Sequence, residues 1–386
     1  MPNHEEILRI PGPTPIPPRV SQAMSQPMIG HRSQRCKDLL KDIAPKLNPI
    51  FGTQEDVIVL TGSGTSALEA AVVNTTMPGD EVLVVVTGAF GDRFASICEA
   101  YGLTVHRHDV TWGDAVQVED VSSYLNQYPG IRAVFVTHCE TSTAVLNPVK
   151  EIANQVHEQS DALVIVDGVS SIGGADLKLE RDGIDLLVSG SQKAMMLPAG
   201  LSFVAYNHRT WSIIEENTRP RFYLDLRKYR GKLQEGQTPF TPALSLLFGL
   251  NEALDLMHEE GLESVYERHH LMKRMARAAF QALGLPLLTT EEAASPTVTS
   301  VKPERFDAEQ LRKVVHEEAG LLLAGGQQHL KGKIFRIGHM GYCTPADVLQ
   351  AISIIELGLK QLGQEIELGA GVAAAEKIYT LEKGGK

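Results

Sequence analysis

The sequence predicts an α/β architecture: a large domain on a mostly parallel sheet, followed by a smaller C-terminal α+β domain. Between Val57 and Tyr206, short apolar runs alternate with helical patterns, as expected of a sheet covered by helices on both faces. From about Pro286 to Gly363 the rhythm changes to short strands, Thr297 to Val301 and Ile334 to Ile337, together with two helices. A chain of 386 residues is long enough for both domains. The expected organisation is an extended arm over 1–30, a large domain over 31–260, a small domain over 261–365 and an appended tail over 366–386.

The arm owes its extension to proline, because Ile10-Pro11-Gly12-Pro13-Thr14-Pro15-Ile16-Pro17-Pro18 disfavours a helix and stiffens the chain. It is either a packing strap or a way to bring the Gly12 backbone and Gly30-His31-Arg32 close to a ligand. A helix carrying Leu39, Leu40, Ile43 and Leu47 follows. Val57 then opens a strand, a Gly/Ser/Thr turn and an alanine-rich helix. Free N–H groups at that helix start, with the Ser63 and Thr65 hydroxyls beside Gly64, make a phosphate cradle. The turn also fits a G-x-G-x-x-A dinucleotide fingerprint. However, the next strand, Glu81 to Val86, ends in Thr87-Gly88 with no acid to hold a ribose. No Gly-Lys-Ser/Thr closes the turn, which excludes a Walker loop.

Phe90, just past that strand tip, either packs or stacks on a planar ring. The strand Ala133 to Thr137 leads into His138-Cys139-Glu140-Thr141-Ser142-Thr143, whose hydroxyls either cap the next turn or bond a ring hydroxyl. From Asn207 to about Gln237 the pattern breaks, and an irregular, arginine-rich segment is expected. Helices are expected from the Thr238-Pro239 region through Met257 and again over Glu263 to Leu283.

Composition narrows the function. With 47 acids against 36 bases, a nucleic-acid or anionic-membrane surface is not expected, although a local basic pocket is allowed. The first residues lack the basic-then-apolar order of a signal peptide, and no apolar run is long enough for a membrane span. Cys36, Cys98, Cys139 and Cys343 form no C-x-x-C pair, which suits a reducing, cytoplasmic setting. His106 and His108 could bind a metal from one strand face but read more simply as a polar strand end. No metal is expected.

Chemistry enters at Ser189-Gly190-Ser191-Gln192-Lys193-Ala194, which follows the apolar run Ile184 to Val188. A lysine at the tip of a parallel strand sits at the rim where α/β sheets bind ligands. Partly desolvated and near other cations, it loses pKa and becomes a nucleophile able to form a Schiff base. Upstream, Ala162 to Val166 ends in Asp167-Gly168, and an acid buried there needs a partner. A pyridinium nitrogen is such a partner, and an Asp with a Schiff-base Lys is what pyridoxal 5'-phosphate (PLP) chemistry requires. Arg336, within Ile334-Phe335-Arg336-Ile337-Gly338, needs an anion: an internal acid or a substrate carboxylate.

These motifs together resemble the class V aminotransferases of PLP fold type I, nearest the alanine–glyoxylate and serine–glyoxylate (serine–pyruvate) branch. The resemblance runs from Gly12-Pro13-Thr14-Pro15 through Gly338. It rests on five stretches in order: Gly62 to Thr65, Glu140 to Thr143, Asp167, Ser189 to Lys193, and Phe335 to Gly338. It implies a seven-stranded-type sheet, with Lys193 as the Schiff-base lysine and Asp167 on the pyridine nitrogen. It further implies Ser63, Gly64, Thr65 and Gln192 on the phosphate, Phe90 stacked on the ring and Thr141 on the ring hydroxyl. Thr241 would reach the phosphate of a neighbouring subunit in a homodimer with shared sites, and Arg336 would clamp the substrate carboxylate. The chain departs from the family at Phe90, where close eukaryotic relatives carry tryptophan, and at Thr238, where a tyrosine is usual.

The expected activity is transfer of an amino group from a small amino acid, such as alanine or serine, to glyoxylate or pyruvate, with ureidoglycine as an alternative donor. A cysteine desulfurase of the same fold fits less well. That branch has a histidine before the lysine and a reactive cysteine before the arginine, whereas here Gln192 precedes Lys193 and Cys343 follows Arg336. A non-catalytic partner subunit is opposed by the intact Lys193 and Asp167.

Overall fold

The structure, a computed structural model, describes residues 6–384; residues 1–5 of the expected arm and 385–386 of the expected tail lie outside the described residues. Seven strands form the central sheet: β1 (Ile58–Gly62), β2 (Glu81–Val86), β3 (Thr104–Asp109), β4 (Ile131–Thr137), β5 (Leu163–Asp167), β6 (Leu186–Gly190) and β7 (Gly200–Tyr206). Their spatial order is β1-β7-β6-β5-β4-β2-β3, and only β7 runs antiparallel to its neighbours. The uninterrupted apolar runs follow from this burial. In β2, Leu83 and Val85 enter one core while Val82, Val84 and Val86 enter the other. In β5, Val164 and Val166 are likewise divided from Leu163 and Ile165. Edge strand β3 is polar instead. His106 bonds Glu81 at 2.8 Å and stacks on Tyr128, while His108 faces Asp120 at 3.2 Å.

Helix α1 (Gln34–Phe51) buries Leu40, Ile43, Leu47 and Ile50 against one sheet face. Helices α2 (Gly64–Thr75) and α3 (Ala89–Ala100) each start just beyond a strand tip. After β7 the segment expected to be irregular contains helices His208–Glu216 and Leu226–Leu233. Asn207 and Asp225 cap them, accepting from the Thr210 and Arg227 N–H groups, a local signal that the arginine density masks. Helix α4 (Leu244–Glu260) completes the larger part, and α5 (Leu262–Ala282) leads out of it.

A third core gathers α5, α6 (Ala308–Ala319) and α7 (Pro345–Gln361) onto the antiparallel strands β8 (Val298–Val301), β9 (Ala324–Gly325) and β10 (Phe335–Gly338). The stretch expected as an appended tail contains α8 (Ala370–Gly384), which packs on α5 and α7 with Ala375 fully buried. Glu356 of α7 accepts N–H bonds from Gly369, Gly371 and Val372 and so caps this helix from across the interface. Among the described residues no helix is long and apolar enough to cross a membrane, and no cluster of three or more ligating side chains could hold a metal.

The arm is not extended throughout, since Pro18–Met24 is helical and packs on α4. Proline at the first helical position fits there because its missing N–H would have no partner. Before it, Ile7 and Leu8 pair in parallel with Leu321 and Leu322, and Arg9 pairs with Asp347. The Gly338 N–H then donates to the Arg9 carbonyl at 2.7 Å. A Cβ at Gly338 would stand 2.3 Å from the Ile10 carbonyl oxygen. Gly338→Ala is therefore expected to push the arm off β10 at a cost of about 1–3 kcal/mol. A lower melting temperature and faster proteolysis of residues 6–17 would register this; an unchanged melt would show that the arm is not held there.

Candidate active site

The carboxyl ends of β1, β2, β4, β5 and β6 share one edge of the sheet, and the turns leaving that edge carry the residues that the sequence marks as chemical. Lys193 stands three residues beyond β6 and is 8% exposed. Its Nζ donates to the Pro11 carbonyl at 3.0 Å, and the Thr14 hydroxyl donates to the Lys193 carbonyl at 2.9 Å. The arm thus touches both ends of the lysine. Gly12 is favoured there by its φ of +149°, which L side chains rarely adopt, and a Cβ would also press on the Lys193 side chain, 2.7 Å from Nζ. Burial pulls the Lys193 pKa down to about 8, helped by the nearby Arg336 and Arg93 charges, against the pull of Asp167. The adjacent Cys139 thiol, pushed up to about 11 by its own burial, stays neutral and offers no counter-charge near pH 7.

Asp167 ends β5 and is 3% exposed. Burial raises its pKa to about 6, and Glu140 adds to this, while the Val169 N–H at 2.8 Å and the Lys193 charge oppose it. The phosphate-type turn forms as expected. Ser63 is the N-cap of α2 but its side chain makes no capping bond, which leaves first-turn N–H groups for an anion. Gly64 and Gly190 approach closely: a Cβ on Gly190 would lie 3.3 Å from the Gly64 Cα. Thr65 follows in the first turn, and the Gln192 side-chain oxygen is buried with no hydrogen-bond partner.

Phe90 is the second residue of α3, with the Arg93 guanidinium 4.9 Å from its ring centroid. The Thr141 hydroxyl donates to the Ser170 hydroxyl at 2.5 Å. Arg336, on β10, is 5% exposed, and among the described residues no carboxylate lies within ion-pair distance. Its Nε and Nη2 donate to the Gly325 carbonyl at 3.0 and 2.7 Å, and Nη1 donates to the Thr141 carbonyl at 2.7 Å. Of five N–H groups, two remain for an incoming anion. Burial lowers its pKa to about 10, with Glu140 pulling the other way.

Lys193, Asp167, Thr141 and Arg336 are thus coupled by hydrogen bonds or by charge. Thr241 is not joined to them: it is exposed, just before α4, where the neighbouring Ala243 N–H donates to Thr61. Thr238 turns its hydroxyl to the Phe240 carbonyl. Sequence reasoning missed Pro11 and Ser170 and left Glu140 without a role. A clue to Glu140 was present in Gly88, two residues before Phe90, which leaves space for the Glu140 side chain.

The family described as aminotransferase class-V matches residues 8–350. An uncharacterized aminotransferase of Methanocaldococcus jannaschii is 44% identical, with 98% of each chain covered. A protein of Synechococcus sp. named soluble hydrogenase, small subunit, is 42% identical over 97% of this chain and 98% of its own. The L-aspartate–glyoxylate aminotransferase of Paracoccus denitrificans is 36% identical over 96% of this chain and 95% of its own. Among solved structures, the ureidoglycine–glyoxylate aminotransferase of Bacillus subtilis superposes with a TM-score of 0.91 at 31% identity, covering 98% of this chain and 99% of that one.

The electrostatics of Lys193 can be read directly. In protein stripped of small molecules, carbamoylation of Lys193 by cyanate, followed by mass spectrometry, is expected to titrate with a midpoint near pH 8. Arg336→Met removes a repelling cation and is expected to move the midpoint upward. A midpoint at the ordinary lysine value of 10.5 would contradict the burial argument.

Proposed function

The chain belongs to the class V aminotransferase family, whose cofactor is pyridoxal 5'-phosphate, and from that premise we propose that it carries the amino group of a small amino acid to glyoxylate or pyruvate. The observation that carries this reading is a depressed lysine and a buried aspartate at adjacent strand tips, with an arginine that, among the described residues, has no carboxylate within ion-pair distance. The residues present fit the cofactor. The uncapped α2 start, the close pair Gly64 and Gly190 and the unpartnered Gln192 amide suit a phosphate held by Ser63, Gly64, Thr65 and Gln192. Asp167 suits a protonated ring nitrogen, Phe90 a ring face and Thr141 a ring hydroxyl. Bound there, pyridoxal phosphate supplies a carbonyl for the amino group and an electron sink for the Cα–H bond.

The chain's own groups supply the rest. Lys193, with a pKa near 8, is a nucleophile and a proton carrier near neutral pH, which would take the proton from the Cα of the amino donor and, in the second half of the exchange, give one to the Cα of the acceptor. Asp167 would hold positive charge on the ring. Arg336, preset by two backbone carbonyls, offers its two remaining N–H groups to the carboxylate shared by amino and keto acid. Because Thr241 is exposed and bonded to none of its own chain's site residues, we read it as serving a second copy in a homodimer, with Arg32 holding the Gln237–Thr238 segment that precedes it. Ureidoglycine is the alternative donor, supported by the likeness to the B. subtilis enzyme.

The test is a visible spectrum of the purified protein with added cofactor, followed by alanine, serine, aspartate or ureidoglycine, and then glyoxylate. A visible band that one donor bleaches and glyoxylate restores would support the proposal and name the donor. Lys193→Ala is expected to lower turnover by at least about a thousandfold. Arg336→Lys is expected to raise KM about tenfold or more with a smaller change in kcat. Protein that stays colourless with added cofactor would instead favour a subunit that kept the fold without its chemistry.

A further inference from the structure

Glu140 is a fully buried carboxylate that the roles above leave unused. It lies just beyond β4, and every group aimed at it is a donor: the N–H of Phe90 at 3.1 Å, of Gly91 at 3.0 Å and of Ser142 at 3.1 Å, and the Ser142 hydroxyl at 2.5 Å. Ser142 Oγ in turn accepts from the Ala89 N–H at 2.9 Å. The first three N–H groups of α3, which its N-cap Gly88 leaves without a side-chain partner, are therefore satisfied by Glu140 and Ser142 from another element. Gly88 makes the approach possible, since a Cβ there would lie 2.4 Å from Glu140 Cγ. The contact fixes the helix turn that carries Phe90.

The next peptide unit reaches the other half of the site. Thr141 gives its carbonyl to Arg336 Nη1 at 2.7 Å and its hydroxyl to Ser170. Resting on the aminotransferase reading, we infer that Glu140 is a positioning residue that couples the ring-stacking Phe90 to the carboxylate-binding Arg336. Glutamine at 140 would turn an NH2 group towards converging N–H donors, so the first turn of α3 and the Thr141 carbonyl could not both keep their places. Burial raises the Glu140 pKa while the Ser142, Gly91 and Phe90 donors lower it; in its ionised form the carboxylate supports the Arg336 guanidinium, and glutamine would remove that support.

Two dissociation constants test this. One is for pyridoxal phosphate added to stripped protein, followed in the visible. The other is for propionate, an unreactive carboxylate, read from its perturbation of the same band. Glu140→Gln is expected to weaken both by about tenfold. In a Phe90→Leu background its effect on the cofactor is expected to shrink to about twofold or less, while the effect on propionate persists. Unchanged constants in folded Glu140→Gln, even with a lower melting temperature, would overturn the inference. If that variant does not fold, Ser142→Ala keeps the carboxylate and removes its link to Ala89. It is expected to weaken both ligands by about two- to threefold, and no change in either would be equally decisive against the inference. A wild-type protein with no visible band or no response to propionate would fail the aminotransferase reading itself, which separates the two failures.

Discussion

Lys193, Asp167, Glu140 and Arg336 lie inside the protein at the strand tips, and among the described residues none of the four has an opposite charge within salt-bridge distance. Burying an unpaired ion costs several kcal/mol even after relaxation. The fold offsets this with backbone dipoles. The Pro11 carbonyl faces the lysine, the Val169 N–H the aspartate, three N–H groups the glutamate and two carbonyls the arginine. Dipoles of this kind orient a charge without neutralising it, so each group keeps its direction and part of its unmet electrostatic demand. That is the condition under which a charged ligand gains most by arriving.

Holding these groups in register requires a frame that does not yield. The central strands are buried on both faces, so sliding one of them would move apolar side chains between two filled cores. Arg336, on β10 outside the central sheet, is referenced to that frame twice, once through the Thr141 carbonyl and once through the arm. The arm accepts from Gly338 at Arg9 and meets Lys193 at Pro11, so three residues of extended chain span both parts of the site. The glycines at 12, 88 and 338 mark where chain or side chain passes too close for a Cβ.

Much of this was legible because it rests on local chemistry. Runs of about five residues that are apolar at every position and bounded by turn residues suit strands buried on both faces, and Lys193, Asp167 and Arg336 stood out as charges set in apolar company. The boundaries were less legible. The run ending at Val188 continues as strand through Gly190, because Phe203 and Ser202 of the following strand β7 pair with Ser189 and Gly190. The helix beyond 369 was hidden for a similar reason: its cap is Glu356, on another helix. Glu140 escaped because two of its donors, the Phe90 and Gly91 N–H groups, belong to α3, about fifty residues earlier. Tertiary capping leaves no mark in a window of sequence, except for the glycines that make room for it.

The pKa shifts add a constraint on the order in which charges are satisfied. Burial and the Arg336 charge both depress Lys193. A carboxylate seated on Arg336 screens that cation and adds a negative charge, so the affinity of Lys193 for a proton must rise as the carboxylate binds. Linkage makes the relation reciprocal: a carboxylate binds more tightly when Lys193 carries its proton than when it does not. Above about pH 8, where the free lysine is largely neutral, that contribution to carboxylate binding fades. The lysine is then the better nucleophile and the site the weaker anion receptor. The same burial that makes Lys193 reactive therefore sets the upper pH limit of its cooperation with Arg336 while its amine is free.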